Sequence, residues 1–204
     1  MRPVLVILAA YLLGSIPFGY LIVRSVAGAD VRASGSGGTG ATNVSRRAGK
    51  TAGVITLLLD AAKGAAAVAL ARLVLTSNHA VNWFVVVAAV VVIIGHCFPV
   101  WLRFRGGKGV ATGVGVFISL VPLAVAFSGA LFLLIVWLTR YVSLGSIVAA
   151  ATVPLFVWLQ HALVRPVTGF QYVMVIAIAG GLLIIFMHRA NVERLIRGTE
   201  SKFG

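Results

Sequence analysis

The sequence predicts an all-α, polytopic integral membrane protein of about seven transmembrane helices, with the N-terminus outside and the C-terminus in the cytoplasm. Three observations carry that class. Of 204 residues, 60% are hydrophobic and 10% are charged, where a soluble domain carries roughly 25% charged residues. Mean hydropathy is +1.07, more apolar surface than a soluble chain this short can hide in one core. The apolar residues also come in runs of about 20, the length that crosses a hydrocarbon core of roughly 30 Å as a helix. The same composition excludes intrinsic disorder. A single cysteine, Cys97, excludes an intramolecular disulfide and a cysteine-rich metal site.

The first candidate span is 3–23. It does not read as a signal peptide, because the run is long and no small-x-small site ends it. Further spans are expected at 51–76, 83–101, 142–163 and 171–187. The stretch 110–139 is too long for one untilted helix, at about 45 Å by the helical rise. Pro122 lies inside it and breaks it, into 110–121, a short half-helix, and 122–139. With seven spans, Arg24, Arg32, Arg46, Arg47, Lys50, Arg103, Arg105, Lys108, Arg140, Arg189, Arg194, Arg197 and Lys202 all fall on one side. With six, Arg140 and the basic C-terminal segment move across. Basic residues collect in cytoplasmic loops, so seven spans fit better. The net charge of +13 is thereby a sidedness signal and not a nucleic-acid footprint.

Three segments on that basic side carry polar chemistry. Residues 30–50 hold Gly35, Gly37, Gly38 and Gly40 among Ser34, Ser36, Thr39, Thr42 and Asn43, followed by Arg46 and Arg47. Glycines let successive backbone N–H groups converge on an anion, and hydroxyls and arginines add donors. The plain alternative is a flexible loop. Gly35-x-Gly37-x-x-Gly40 mimics a dinucleotide fingerprint, but no strand precedes it, so that motif is rejected. The second segment, 95–113, surrounds Lys108 with Gly106, Gly107 and Gly109 ahead of a helix starting near Val110. A glycine turn feeding a helix N-terminus suits a phosphate. His96 at the end of the third span reads as a structural hydrogen-bonder. The third segment joins Ser143 and Ser146 to 188–201, where His188 and Asn191 are spaced i,i+3 and Arg194 continues their face. Within the second span, Asp60 and Lys63 are also i,i+3 and are expected to pair or to face a cavity, because a lone charge at that depth is costly.

Together these residues resemble one family, the bacterial acyl-phosphate:glycerol-3-phosphate acyltransferases. Gly35-Ser36-Gly37 through Gly40-Ala41-Thr42-Asn43 with Arg46 is similar to the family's first motif. Gly95-His96, Pro99 and Phe104-Arg105-Gly106-Gly107-Lys108-Gly109-Val110-Ala111-Thr112 is similar to the second. Ser143 to Ser146, with His188-Arg189, Asn191, Arg194, Gly198 and Glu200, is similar to the third.

The resemblance implies one transmembrane acyltransferase domain over 1–204, in the bacterial cytoplasmic membrane, with its active site on the cytoplasmic side. The implied reaction moves a fatty acyl group from acyl phosphate to the 1-hydroxyl of glycerol 3-phosphate. Its products are lysophosphatidic acid and phosphate, the first step of phospholipid biosynthesis. It also implies catalytic roles for Ser36, Arg46 and His188. Gly37, Thr42, Asn43, Gly106, Gly107, Lys108, Gly109, Ser143 and Asn191 would bind substrate, and Asp60, Lys63 and Glu200 would be structural. The expected partners are acyl phosphate, glycerol 3-phosphate and membrane lipid, with no metal, cofactor or nucleic acid. Two departures stand out: Gly38 where the family usually has Asn, and Arg105 where Lys is more usual.

Acyl phosphate is already activated, so direct attack by the bound hydroxyl needs no enzyme nucleophile. The proton acceptor stays open between His188 and a substrate phosphate oxygen. A transporter of phosphorylated metabolites is the rival class. It would need polar residues leading to both faces, and the outer connections at 77–82 and 164–170 are short and plain.

Overall fold

A computed structural model describes residues 1–203, and every side chain among them except that of His79. No strand occurs among the described residues. The chain divides into two compact units, Met1–Ser119 and Leu120–Gly204.

The first unit holds α1 (Arg2–Ser15), α2 (Phe18–Ala27), α3 (Ala41–Leu75), α4 (Trp83–Cys97) and α5 (Val110–Ile118). The expected span 3–23 is therefore two helices. Pro17 has no N–H to give to a helix and forces Ile16 into an extended conformation, φ −61° and ψ 115°. The break frees the Ile16 carbonyl, and Lys63 Nζ donates to it at 2.9 Å. A second break falls within α3 at Gly49, φ 88° and ψ 166°. It separates a short segment that carries Arg46 from the membrane-length run expected at 51–76.

Helix α1 packs on α4, and α3 packs on α2, α4 and α5. The α3–α5 contact is close because Gly64 and Gly115 let the two backbones meet, the usual device where lipid offers no hydrophobic drive. A methyl group on Gly115 would stand 2.6 Å from the Ala61 carbonyl carbon and collide with its oxygen. The short helix is consequently a buried element, with Thr112, Gly113, Gly115, Val116 and Phe117 all inside. Gly115→Leu is expected to destabilise the protein by about 3 kcal/mol through overpacking. Thermal unfolding in detergent measures it, and an unchanged midpoint would contradict this packing.

The second unit holds α6 (Pro122–Thr139), α7 (Val142–Leu159, prolonged by a π-turn over Gln160–Val164), α8 (Phe170–Met187) and α9 (Arg189–Ile196). Helix α7 lies between α6 and α8. Helix α6 starts at Pro122, where the stretch 110–139 was expected to break. Its only buried residues are Ala124 and Ser128, so nearly all of its apolar surface faces outward.

Among the described residues, six helical stretches are long and apolar enough to cross a membrane: Arg2–Ala27, Ala41–Leu75, Trp83–Leu102, Pro122–Thr139, Val142–Val164 and Phe170–Met187. The seventh element, α5, has 9 residues and reaches about half the thickness of a hydrocarbon core. It is the short half-helix expected at 110–121.

Candidate active site

The first unit brings the two glycine-rich loops together. Thr39 N–H donates to Gly106 O at 3.4 Å. Each loop feeds a helix N-terminus: Gly40 precedes α3 and Gly109, at φ 84°, precedes α5. The first intrahelical bonds are Asn43 N–H to Gly40 O and Gly113 N–H to Gly109 O. The N–H groups of Ala41 and Thr42, and of Val110, Ala111 and Thr112, therefore have no acceptor within their own helices. Two helix N-termini with free donors and partial positive charge make a setting for phosphate.

The first loop is held in shape from below. Asn43 is buried, and its amide nitrogen donates to Val31 O at 2.8 Å, Gly38 O at 2.9 Å and Ser34 O at 3.1 Å. Its Oδ1 accepts from Ser36 N–H at 3.3 Å. These bonds fix the turn that carries Ser36 and Gly37, with both side chains' positions exposed. Val23, Val31 and Val44 form the apolar floor beneath. Asp30, the one carboxylate of the two loops, is taken by Arg32. The guanidinium donates to both carboxylate oxygens, at 2.7 Å to Oδ2, and holds the Asp30 carboxyl below its usual range. Arg32 also donates to Leu102 O at 3.1 Å, which ties the first loop to the turn before the second. Thr42 and Arg46 are spaced i,i+4 on the opening turns of α3 and share a face. Arg46 is exposed and Lys108 half-buried.

The second loop folds back onto the end of α4. Gly106 N–H donates to Cys97 O and Gly107 N–H donates to His96 O, both at 3.1 Å. Gly38, where the family usually has Asn, lies against this loop: an added Cβ would be 3.5 Å from Gly106 O and 4.0 Å from Gly107 Cα. A side chain there would pack against Gly106, Gly107 and Ser36 Oγ, the last 3.9 Å from the added Cβ. Arg105 is exposed. Asp60 and Lys63 pair as expected, at 2.7 Å with both side chains 2% exposed.

In the second unit, Glu200 gathers the third set of residues. Ser143 Oγ and Asn191 Nδ2 each donate to Glu200 Oε1 at 2.7 Å, and Arg194 Nε donates to Oε2 at 2.7 Å. The tail is tied down nearby, where Phe203 N–H donates to Arg140 O at 2.8 Å. The sequence put arginines within reach of Glu200, and Arg194 pairs with it; spacing gave no sign that Ser143 and Asn191 would meet the same carboxylate. Asn191 Oδ1 is buried and accepts no hydrogen bond from the described residues. His188 is buried at the junction of α8 and α9, with Nδ1 2.8 Å from Ile184 O. A carbonyl only accepts, so Nδ1 carries the proton and Nε2 is the basic nitrogen of the neutral ring.

Burial pushes the Glu200 carboxyl up, but the bonds from Ser143, Asn191 and Arg194 outweigh it and hold the group below its usual range. A depressed carboxylate stabilises the fold above its unfolded-state pKa, and that contribution is lost as pH falls through the folded value. The thermal midpoint is therefore expected to drop with acid between about pH 6 and pH 3, and Glu200→Gln should flatten part of that slope. An unchanged slope in Glu200→Gln would remove this carboxylate from the account of acid stability.

Comparison with known proteins points the same way as the loops. The family model described as glycerol-3-phosphate acyltransferase matches residues 4–198. A glycerol-3-phosphate acyltransferase of Syntrophotalea carbinolica is 46% identical over 199 residues, covering 98% of this chain and 96% of the relative. One from Synechococcus sp. (strain JA-3-3Ab) is 47% identical over 198 residues, covering 97% and 91%. Among solved structures, the glycerol 3-phosphate form of PlsY (YgiH), an integral membrane glycerol 3-phosphate acyltransferase, superposes with a TM-score of 0.89. It is 38% identical, over 100% of this chain and 96% of that one. The lysophosphatidic acid form of PlsY superposes at 0.86 with 37% identity and the same coverage.

Proposed function

The chain belongs to the glycerol-3-phosphate acyltransferase family, and we propose that it transfers a fatty acyl group from acyl phosphate to the 1-hydroxyl of glycerol 3-phosphate. The observation that carries this reading is the contact of two glycine-rich loops, Thr39 to Gly106, each opening a helix N-terminus. Both substrates carry phosphate, and two such termini with Arg46 and Lys108 supply donors and positive charge for them. The abundant apolar helices suit the acyl chain. We propose a single acyltransferase domain over 1–204.

The reaction needs little covalent chemistry from the protein. The 1-hydroxyl oxygen attacks the acyl carbonyl, the ester C–O bond forms, and the anhydride C–O bond breaks to release phosphate. Arg46, Lys108 and loop N–H groups hold the phosphates and offset charge on the carbonyl oxygen as it develops. Ser36 lies on the turn fixed by Asn43 and offers a hydroxyl beside the donor phosphate. The loop bonds of Asn43 support a role in shaping Gly37 and Ser36, and through them in binding. In the second unit, Asn191 Oδ1 accepts from a glycerol hydroxyl, while Ser143 and Glu200 hold Asn191 in place. The hydroxyl proton goes to His188 Nε2 or to an oxygen of the departing phosphate.

Protein in detergent or lipid, supplied with acyl phosphate and glycerol 3-phosphate, should form 1-acylglycerol 3-phosphate and inorganic phosphate in equal amounts. Acylation without phosphate release would overturn the reading.

We infer that this chemistry lies on the cytoplasmic side of the bacterial cytoplasmic membrane, N-terminus outside and C-terminus inside; the tendency of basic residues to collect in cytoplasmic loops supports that reading. Within each unit the basic, polar segments share an end, which supports that sidedness. Cys97 is buried and leaves a clean background for labelling. In intact cells, Thr168→Cys should react with an impermeant maleimide and Lys202→Cys should not; the reverse pattern would invert the topology.

A further inference from the structure

The intramembrane pair Asp60–Lys63 touches a third group, His96. Its Nδ1 stands 3.4 Å from Asp60 Oδ1, with the His96 side chain 4% exposed. That is long for a hydrogen bond, but a buried carboxylate at this distance favours the tautomer with the proton on Nδ1 and turns that edge of the ring toward α3. The opposite edge meets the second loop. A Cβ on Gly107 would run into His96 Nε2 and lie 2.9 Å from Cε1 and 3.1 Å from Cδ2. A Cβ on Gly106 would lie 2.5 Å from Pro99 Cδ. The loop backbone is also bonded to the His96 and Cys97 carbonyls. Lys63, which pairs with the same Asp60 oxygen at 2.7 Å, donates to Ile16 O at the Pro17 break. The ring is thus clamped between a fixed ion pair and a glycine with no side chain to yield.

We infer that His96 is a positioning residue for the second loop: Asp60 sets its ring, and the ring's Nε2 edge sets the path of Gly106–Gly109 and so the place of Lys108 and the α5 N-terminus. This rests on the assignment of that loop to glycerol 3-phosphate, and it gives the buried pair a task beyond holding helices together.

The test is a cycle of His96→Ala, Gly107→Ala and the double variant, with KM and kcat measured for each substrate in protein checked for folding by size-exclusion profile. His96→Ala should raise KM for glycerol 3-phosphate about tenfold and leave KM for acyl phosphate within about twofold. Gly107→Ala should raise the same KM by at least about tenfold, because its methyl group meets the ring. In the double variant the ring is gone, so the second change should add less than about twofold, the coupling expected of groups in contact. Where His96→Ala does not fold, His96→Gln keeps a buried amide, removes the ring edge and serves in its place. Effects that multiply in the double variant, or a His96 change that moves both KM values equally, would overturn the inference. If Gly107→Ala and Lys108→Ala both leave KM for glycerol 3-phosphate unchanged, the loop assignment itself fails. If they raise it and His96→Ala does not, only the role of His96 fails.

Discussion

Lys108→Ala is expected to lower kcat/KM for glycerol 3-phosphate by about 100-fold. A hydrogen bond to a charged group contributes roughly 1.5–3 kcal/mol, and this lysine stands between the loop glycines and the N-terminus of α5. The substrate phosphate is present both before and during acyl transfer. Its lost partner should therefore appear chiefly as a higher KM, with a smaller change in kcat. KM for acyl phosphate should stay within about threefold if Lys108 serves the acceptor. Lys108→Arg keeps the charge but brings a planar fork in place of a point charge, and should recover only part of the loss. Steady-state kinetics with each substrate varied in turn measure this. A rise confined to the acyl phosphate KM would move the second loop to the donor.

His188→Ala is expected to cut kcat by about 100-fold or more, the span of general acid–base and orienting effects. The physical basis is the fixed tautomer. Nδ1 is committed to Ile184 O at 2.8 Å, which makes Nε2 the basic nitrogen of the ring. His188→Gln separates the two proton routes. Its amide can orient a hydroxyl but cannot take a proton. Turnover near that of the parent protein would assign the proton to a phosphate oxygen and leave His188 an orienting role. A loss as deep as in His188→Ala would make the imidazole the base. Full activity in His188→Ala would remove the residue from the mechanism altogether.

Much of the fold was legible because the bilayer leaves few choices. Runs of about 20 apolar residues must be helices, since no water satisfies the backbone inside. Pro122 marked the start of α6, and the spacing of Asp60 and Lys63 foretold their ion pair. The breaks at Pro17 and Gly49 were hidden by the apolar or helical character on either side of them. Their consequences lie at long range: the carbonyl freed at Ile16 is met by Lys63, 47 positions away. At the site, glycine spacing marked both loops and the residues between them. It gave no sign that Asn43 would hold the first loop by three of its carbonyls, since a loop asparagine reads equally well as a ligand for substrate. Nor did it show His96 beneath Gly107, because a ring fixed from another helix leaves no periodic trace. The bonds of Ser143 and Asn191 to Glu200 escaped for the same reason, while its pairing with a nearby arginine was within reach of the sequence: the hub forms only when the tail returns to the start of α7.

The central claim is the pairing of donor and acceptor, and one assay tests it most directly. Purified protein is given labelled glycerol 3-phosphate with either acyl phosphate or acyl-CoA of the same chain length. The proposed reaction should make lysophosphatidic acid from acyl phosphate alone, releasing one phosphate per product. Acylation from acyl-CoA with none from acyl phosphate would contradict the account.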